Sequence, residues 1–337
     1  MQSRLFSSVC LFASLLLAHR VEAQATIDQY KTDINGHRVL EASFASKGPG
    51  QLSEVSQSVN GRRVPLEKSE SKVLAEGPSG KTIETVIQRF DADGRLAETV
   101  KTVTQEERRA DGSSTLKATI YRSDDNGRLR ENERRTVETS RPGTTTSSEV
   151  VIDRTGLDGS FQTVEKRSVV TTTDGGKTQE NESIYRRSNN GGFVEALRAS
   201  KVEQKADGKL STNLTRYEPD YSGRLQVASQ EVSSTVKAPD GSETVEVNLY
   251  GFAYGSTRVE GSPLSLKEQQ SIVRKPGPDG TQVETVSVRR PTLADGNKLG
   301  PQVILSERVC KGNCLPAKDP KPDPQADPKA PQNSPTP

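Results

Sequence analysis

The chain has 337 residues, of which only 30% are hydrophobic and 4% aromatic, with no tryptophan. That excludes the thick two-sided core of an average globular domain, which needs nearer ~45–50% apolar residues on a count that includes glycine. Its 47 basic and 45 acidic residues are interspersed and nearly cancel, so there is no single-sign field to favour nucleic acid or an anionic membrane.

In chain order, the first predicted element is a leader. Arg4 precedes an apolar run from Leu5 to Ala18, and small-residue sites follow at Val21-Glu22-Ala23 and Ala23-Gln24-Ala25. This is the layout of a secretory signal peptide over 1–25, with an apolar part too short to span a bilayer. No other segment is apolar enough to cross, so the expectation is an exported mature chain with no membrane span.

Residues 26–89 read as N-terminal β-hairpins, with Asn-Gly steps in "DINGHRV" and "SVNGRRV". From 90 to 255 the pattern is metered. Turn glycines fall at Gly94, Gly112, Gly127, Gly143, Gly159, Gly176, Gly192, Gly208, Gly223 and Gly241, spaced 15 to 18 residues apart. Asp-Gly and Asn-Gly pairs accept the positive φ of tight hairpins. The intervening segments, such as "TLKATIY" and "EVVID", carry Thr, Val, Ile and Tyr without internal proline, which is a strand composition. The turns alternate between two kinds, so the unit is a hairpin of about 32 residues that gains contacts from its neighbours.

The predicted fold is therefore all-β: an antiparallel meander of consecutive hairpins in a single-layer or curved open sheet. Neither strand face reads cleanly apolar. In "SFQTVEKRSVV", Phe161, Thr163, Glu165, Arg167 and Val169 alternate onto one side; in "LRENERRTVETS", so do Leu129, Glu131, Glu133, Arg135 and Val137. A half-buried sandwich strand should separate apolar from polar, so a conventional sandwich with a thin core is the alternative rather than the expectation. An outer-membrane barrel is set aside for want of a continuous apolar band on either face. Residues 256–314 continue the meander. From Leu315 to Pro337 the chain holds 8 of its 19 prolines and reads as a disordered, extended tail.

Phe90-Asp91-Ala92-Asp93-Gly94-Arg95-Leu96 resembles the YD repeat of Rhs-type secreted proteins: an aromatic, Asp, two variable residues, then Gly-Arg-Leu. Tyr121 to Leu129 and Tyr217 to Leu225 resemble it with one residue inserted after the aromatic. In that family the repeats form spiralling β-hairpin sheets that close into hollow shells or serve adhesion. The resemblance implies the hairpin fold type. It does not imply encapsulation, because the units are longer and too few, and no C-terminal toxin-like domain follows.

Candidates for chemistry are sparse. His37 sits in a turn context, and the carboxylates belong to charge ladders such as "QEERR" rather than to a paired-acid cleft lined with aromatics. "DADG" and "SDDNG" lack the full calcium-loop spacing and its distal Glu. No cofactor is expected. Cys310 and Cys314 in "CKGNC" are the two cysteines beyond the leader, and their spacing in an oxidising compartment predicts a local disulfide. Asn181 and Asn213 begin N-glycosylation sequons, used only if the source is eukaryotic.

The functional expectation is a secreted or envelope-exported, non-enzymatic repeat protein whose wide polar sheet binds a surface glycan or an envelope protein. The alternative is a periplasmic or envelope scaffold using its proline-rich tail to engage a partner. A secreted hydrolase ranks below both, and the outer-membrane barrel below that.

Overall fold

The computed structural model describes residues 25–32, 38–46, 53–59, 62–206, 208–252, 263–292 and 298–312. Residues 1–24 of the leader expected over 1–25, the expected tail from Leu315, His37, Cys314 and the Asn-Gly turns at 35–36 and 60–61 lie outside these. The described chain is strand and turn, with one 3₁₀ turn at Pro278–Gly280. The strands are β1 (Ala25–Thr32), β2 (Arg38–Ser46), β3 (Ser53–Val59), β4 (Arg62–Gly77), β5 (Gly80–Phe90) and β6 (Leu96–Arg108). Next come β7 (Ser114–Ser123), β8 (Leu129–Ser140), β9 (Thr145–Thr155), β10 (Phe161–Asp174), β11 (Lys177–Arg187) and β12 (Phe193–Ala206). The last six are β13 (Lys209–Pro219), β14 (Leu225–Lys237), β15 (Glu243–Gly251), β16 (Ser265–Pro276), β17 (Gln282–Arg289) and β18 (Val303–Gly312).

The all-β antiparallel meander is what the chain forms, and the predicted turns are the reason. Gly94, Gly112, Gly127, Gly159, Gly176, Gly208, Gly223 and Gly241 all have φ between 74° and 83°, a region closed to most residues with a Cβ. Gly192 is the exception. In its turn the positive φ of 84° belongs to Gly191, which donates to the Ser188 carbonyl at 2.9 Å. Gly192 instead occupies the place that Arg95 holds in the first turn, because the four-residue frame begins at Ser188 and not one residue later.

Every strand pairs antiparallel with the next, and β1 pairs with both β2 and β18. Ala25 stands opposite Gly312, Asp28 opposite Val309 and Tyr30 opposite Glu307. The curved single layer therefore meets its own first strand. Eighteen strands set ~4.8 Å apart make a wall roughly 85 Å around, and barrels of about 16–18 strands enclose water rather than a packed core. Among the described residues no side chain is fully buried, as a hollow wall requires.

The register sorts side chains into two faces. On β8, Glu133 is buried and Arg135, Val137 and Thr139 are half-buried, while Arg134, Glu138 and Ser140 are exposed. On β11, Thr178, Glu180, Glu182 and Ile184 are covered, while Lys177, Gln179 and Asn181 are exposed. Following the pairings around the ring, the covered face also holds the buried Val100, Ala118, Ile152, Ala199, Val247, Val288 and Cys310. Side chains crowd together on the concave side of a closed layer, so this covered face is the inner one. Buried residues on the outer face are small or polar: Asp28, Ser43, Ser56, Thr115 and Ser287.

One-residue bulges correct the predicted faces. The pairing slips between Thr163 and Glu165 on β10, and opposite Ile120 and Tyr121 it skips Asn132 on β8. Phe161 and Thr163 therefore point outward while Glu165, Arg167 and Val169 point inward. Leu129 and Glu131 are likewise outer, and Glu133, Arg135 and Val137 inner. An extra residue in one strand inverts the side-chain alternation beyond it, and strict period-two reading mixed the two faces.

Candidate functional site

Two features stand out on this wall: charge ladders on the inner face and an apolar collar on the outer face of one rim. Both follow from the hairpin repeat. Odd-numbered strands end at one rim, called here the upper rim, in Asp-x-x-Gly turns after β5, β7 and β13 and in turns opened by Gly156 after β9 and Ser188 after β11. At the lower rim lie the turns that follow even-numbered strands, and there the described chain also begins and ends.

The upper turns are built by the aspartates. Asp91 Oδ1 accepts from the amides of Asp93 at 3.0 Å and Arg95 at 2.8 Å. Asp124 accepts from Asn126 and Arg128, and Asp220 from Ser222 and Arg224, in the same way. These are Asx-type turns, in which the side chain stands in for a backbone acceptor. The amide of Arg128 beside Asp124 holds that carboxyl below the usual range, and at Asp220 the Ser222 hydroxyl does so first. Such backbone capping accounts for the aspartates without a cation. Among the described residues no group of three or more His, Cys, Asp or Glu could hold a metal ion.

The inner ladders run across strands. Lys237 on β14 pairs with Glu243 at 3.8 Å, which pairs with Arg274 at 2.9 Å. Arg274 also pairs with Glu284 at 2.8 Å, Glu284 with Arg308 at 3.1 Å, and Arg308 donates to Gln29 Oε1 at 3.0 Å. This ladder crosses from β14 to β1 and bridges the seam where the ring meets itself. A second runs Glu67, Arg89, Glu98, Arg122 over β4 to β7, at 3.2, 3.0 and 2.5 Å. A third joins Arg135 and Arg154 through Glu133, and a fourth joins Arg167 and Arg186 through Glu165. Acid and base alternate in each, so the inner wall is polar yet nearly compensated in charge.

On the outer face of the upper rim, the residues flanking most turns are aromatic or branched aliphatic. Phe90 stands opposite Leu96, Tyr30 opposite Leu40 and Tyr250 opposite Leu266. Tyr121, Leu129, Phe161, Tyr185, Phe193, Tyr217, Leu225 and Ile304 share that face and level, interrupting at β3, β4, β9 and β17. Cations lie on three of the rings: Lys68 at 5.8 Å from Phe90, Arg134 at 4.0 Å from Phe161 and Lys166 at 4.7 Å from Phe193. The turn tips Leu157 and Tyr221 at this rim are fully exposed. Below the collar the outer wall turns polar, with Lys117, Thr136, Glu138, Glu149, Ser168, Asn181, Gln179 and Asn213.

Of the predicted site residues, the turn glycines are distributed over both rims and form no cleft. Cys310 ends β18 on the inner face; the Cys310–Cys314 pairing falls partly outside the described residues. Asn181 and Asn213 both lie on the outer wall in mid-strand. Sequence reading missed the collar. Its signal was the recurrence of an aromatic, leucine or isoleucine on one or both sides of the upper turns, apart from the turn between β3 and β4.

No family model and no curated protein matches the chain. Solved structures do. An engineered variant of the Rh. blastica porin aligns with a TM-score of 0.50 at 6% identity, over 86% of this chain and 98% of its own. The outer membrane protein opdK from Pseudomonas aeruginosa aligns with a TM-score of 0.45 at 10% identity, over 86% and 97%. The first likeness is one of fold, a closed antiparallel meander.

These findings correct three expectations. The free two-sided sheet for glycan or protein adhesion, and the tail-tethered scaffold beside it, assumed a ribbon with both faces open; here β1 meets β18 and one face is turned inward, and the solved structure that shares this fold is a porin. The expectation of no membrane span weighed apolar segments alone. Among the described residues no helix is long and apolar enough to cross, but a closed barrel crosses with strands. What the chain shares with the barrel set aside is closure, since β1 pairs with β18. It is compatible with the exported location that the leader implies.

Proposed function

We propose that the mature chain is a hydrophilic β-barrel conduit of an envelope membrane, passing small polar solutes without chemical conversion. The observation that carries this reading is the pairing of β1 with β18, which turns a meander into a wall around a bore lined by Arg–Glu ladders. The porin likeness in fold supports it. The non-enzymatic reading rests on the inner face, where each described acid of the ladders is engaged by a base and no two stand apart across a cleft.

The polar outer wall sets where lipid can lie. Placing a Lys or Arg such as Lys117 at the bilayer midplane costs about 2–4 kcal/mol each, falling to about 0–1 kcal/mol near the interfaces, so the charged rows of the outer wall lie at interface depth. Lipid contact falls at the collar. The YD-type likeness of three turns concerns turn chemistry and adds nothing to the conduit.

Reconstitution into planar bilayers tests the proposal. Folded mature chain should give stepwise, voltage-independent conductance, with little preference between potassium and chloride because the ladders are compensated. Protein that keeps its β circular dichroism in lipid and gives neither conductance nor release of a trapped small dye would overturn it.

A further inference from the structure

The last strand delivers the chain to a mouth of the bore. β18 runs down the wall to the lower rim, where Gly312 stands opposite Ala25. Two residues earlier, Cys310 pairs with Gln282 on one side and Ile27 on the other, in the inner row, and is buried. It is disulfide-bonded, and beyond the leader Cys314 is the one other cysteine in the sequence. We propose that the bore of this barrel holds a segment of its own chain, residues 315–337, turned inward by a Cys310–Cys314 bridge. The proposal shares the closed wall with the conduit reading but does not depend on conduction.

A disulfide holds its two Cα atoms within about 4–7 Å of each other. Cys310 faces the bore, so a bridge on its sulfur draws residue 314 to the inner side of the rim, and the residues that follow start from inside the mouth. Their chemistry matches what lines it. The segment sets Lys318, Lys321 and Lys329 against Asp319, Asp323 and Asp327, and is as compensated as the ladders. Eight of its residues are proline, without an N–H, and a polyproline-type chain leaves its carbonyls without internal partners. Such a chain needs donors. Arg154 and Arg186 supply them from the inner face: both are exposed and bond Glu133 and Glu165 through Nε alone, which leaves their terminal nitrogens free. Lys205 on β12 and Glu231 on β14 stand on the same face with no ion pair among the described residues. Reach is ample, since 23 residues at about 3.1 Å each extend roughly 70 Å. An 11-residue strand such as β11 is only about 36 Å long.

Carbodiimide coupling, which joins a lysine directly to a carboxylate it touches, tests this by peptide mapping of the folded mature chain. Links should run from Lys318, Lys321 or Lys329 to inner-face acids such as Glu231, and none to Glu138 or Glu149 on the outer wall. The link between Lys101 and Glu84, 2.5 Å apart on the outer face, reports that the wall is folded. In the variant Cys310→Ser, Cys314→Ser the inward links should fall several-fold, because the bridge raises the local concentration of the segment at the mouth. Four results overturn the proposal: tail links to the outer acids; no tail links beside an intact Lys101–Glu84 link; inward links unchanged in the double variant; or tail links that join heavy-isotope to light-isotope copies. Deleting residues 315–337 should raise the conductance of each step. Inward links without conductance keep the segment in its place and remove the conduit. Conductance that the deletion leaves unchanged, with no tail links, does the reverse.

Discussion

At the scale of single residues, the turns show why the sequence repeats itself. Aspartate, two variable positions, glycine, arginine and leucine are one unit: the carboxylate caps two amides, the glycine takes the left-handed φ, and the leucine returns to the collar, opposite Phe90 in the first copy, Ser123 in the second and Pro219 in the third. The glycine role gives a paired prediction. Gly127 has φ 75° with nothing within 4 Å of a would-be Cβ, and Gly192 has no positive φ. Gly127→Ala should therefore cost about 1–2 kcal/mol from backbone strain alone, and Gly192→Ala close to nothing. Urea unfolding of the two variants checks this, and equal losses would dismiss the assignment of Gly191 as the strained position. The aspartates predict a pH response. The carboxyls of Asp124, Asp158 and Asp220 are held below their ordinary range. A depressed folded value means their stabilisation is present above the unfolded pKa, near ~4, and is lost as pH falls through the folded value. The melting temperature should fall between about pH 4 and pH 2, and less steeply in Asp220→Asn than in wild type. The motif itself was plain in the sequence. Only the slip from Gly191 to Gly192 was not, because two adjacent glycines look alike until a hydrogen bond chooses between them.

At the scale of the element, the strand is a pleated ribbon whose two faces exchange roles at a bulge. Strand existence and turn spacing were legible because Thr, Val and Ile alternate with glycine punctuation. Face assignment was not. Val164 on β10 and Asn132 on β8 are unpaired extra residues, and nothing in "QTVEK" or "RENER" marks them. Once the bulges are placed, the mixed faces resolve into an inner face of Arg, Glu, Val and Ile and an outer face with a collar above polar residues. Cohesion on the inner face comes from cross-strand pairs, each contributing about 0.2–1 kcal/mol. Arg274 is a two-sided joint, holding both Glu243 at 2.9 Å and Glu284 at 2.8 Å. Arg274→Gln should lower stability by about 1 kcal/mol, given the part exposure of the pairs and the partners that remain at Lys237 and Arg308. The loss should shrink as salt is raised. A loss that is indifferent to salt would mean the side chain acts by packing and not by charge.

At the scale of the molecule, closure decides everything that the composition left open. A chain this poor in apolar residues cannot fill a core, yet a ring of hairpins needs none: each strand is satisfied by two neighbours, and no edge remains to be covered. No local pattern announces this. The decisive pairing joins residues such as Asp28 and Val309 from opposite ends of the chain, and Ala25–Thr32 looks like any other short strand. The prediction belongs to that seam. Directly opposed strand residues are within disulfide reach, whereas residues two strands apart are separated by roughly 10 Å and are not. Oxidising the double variant Asp28→Cys, Val309→Cys should therefore give a linked peptide pair in mass mapping. The variant Asp28→Cys, Val283→Cys should give none, because β18 stands between Val283 and β1. If neither pair links in folded protein, the first and last strands do not meet. The wall then has two free edges, the inner face becomes ordinary surface, and the bore on which the conduit depends is lost.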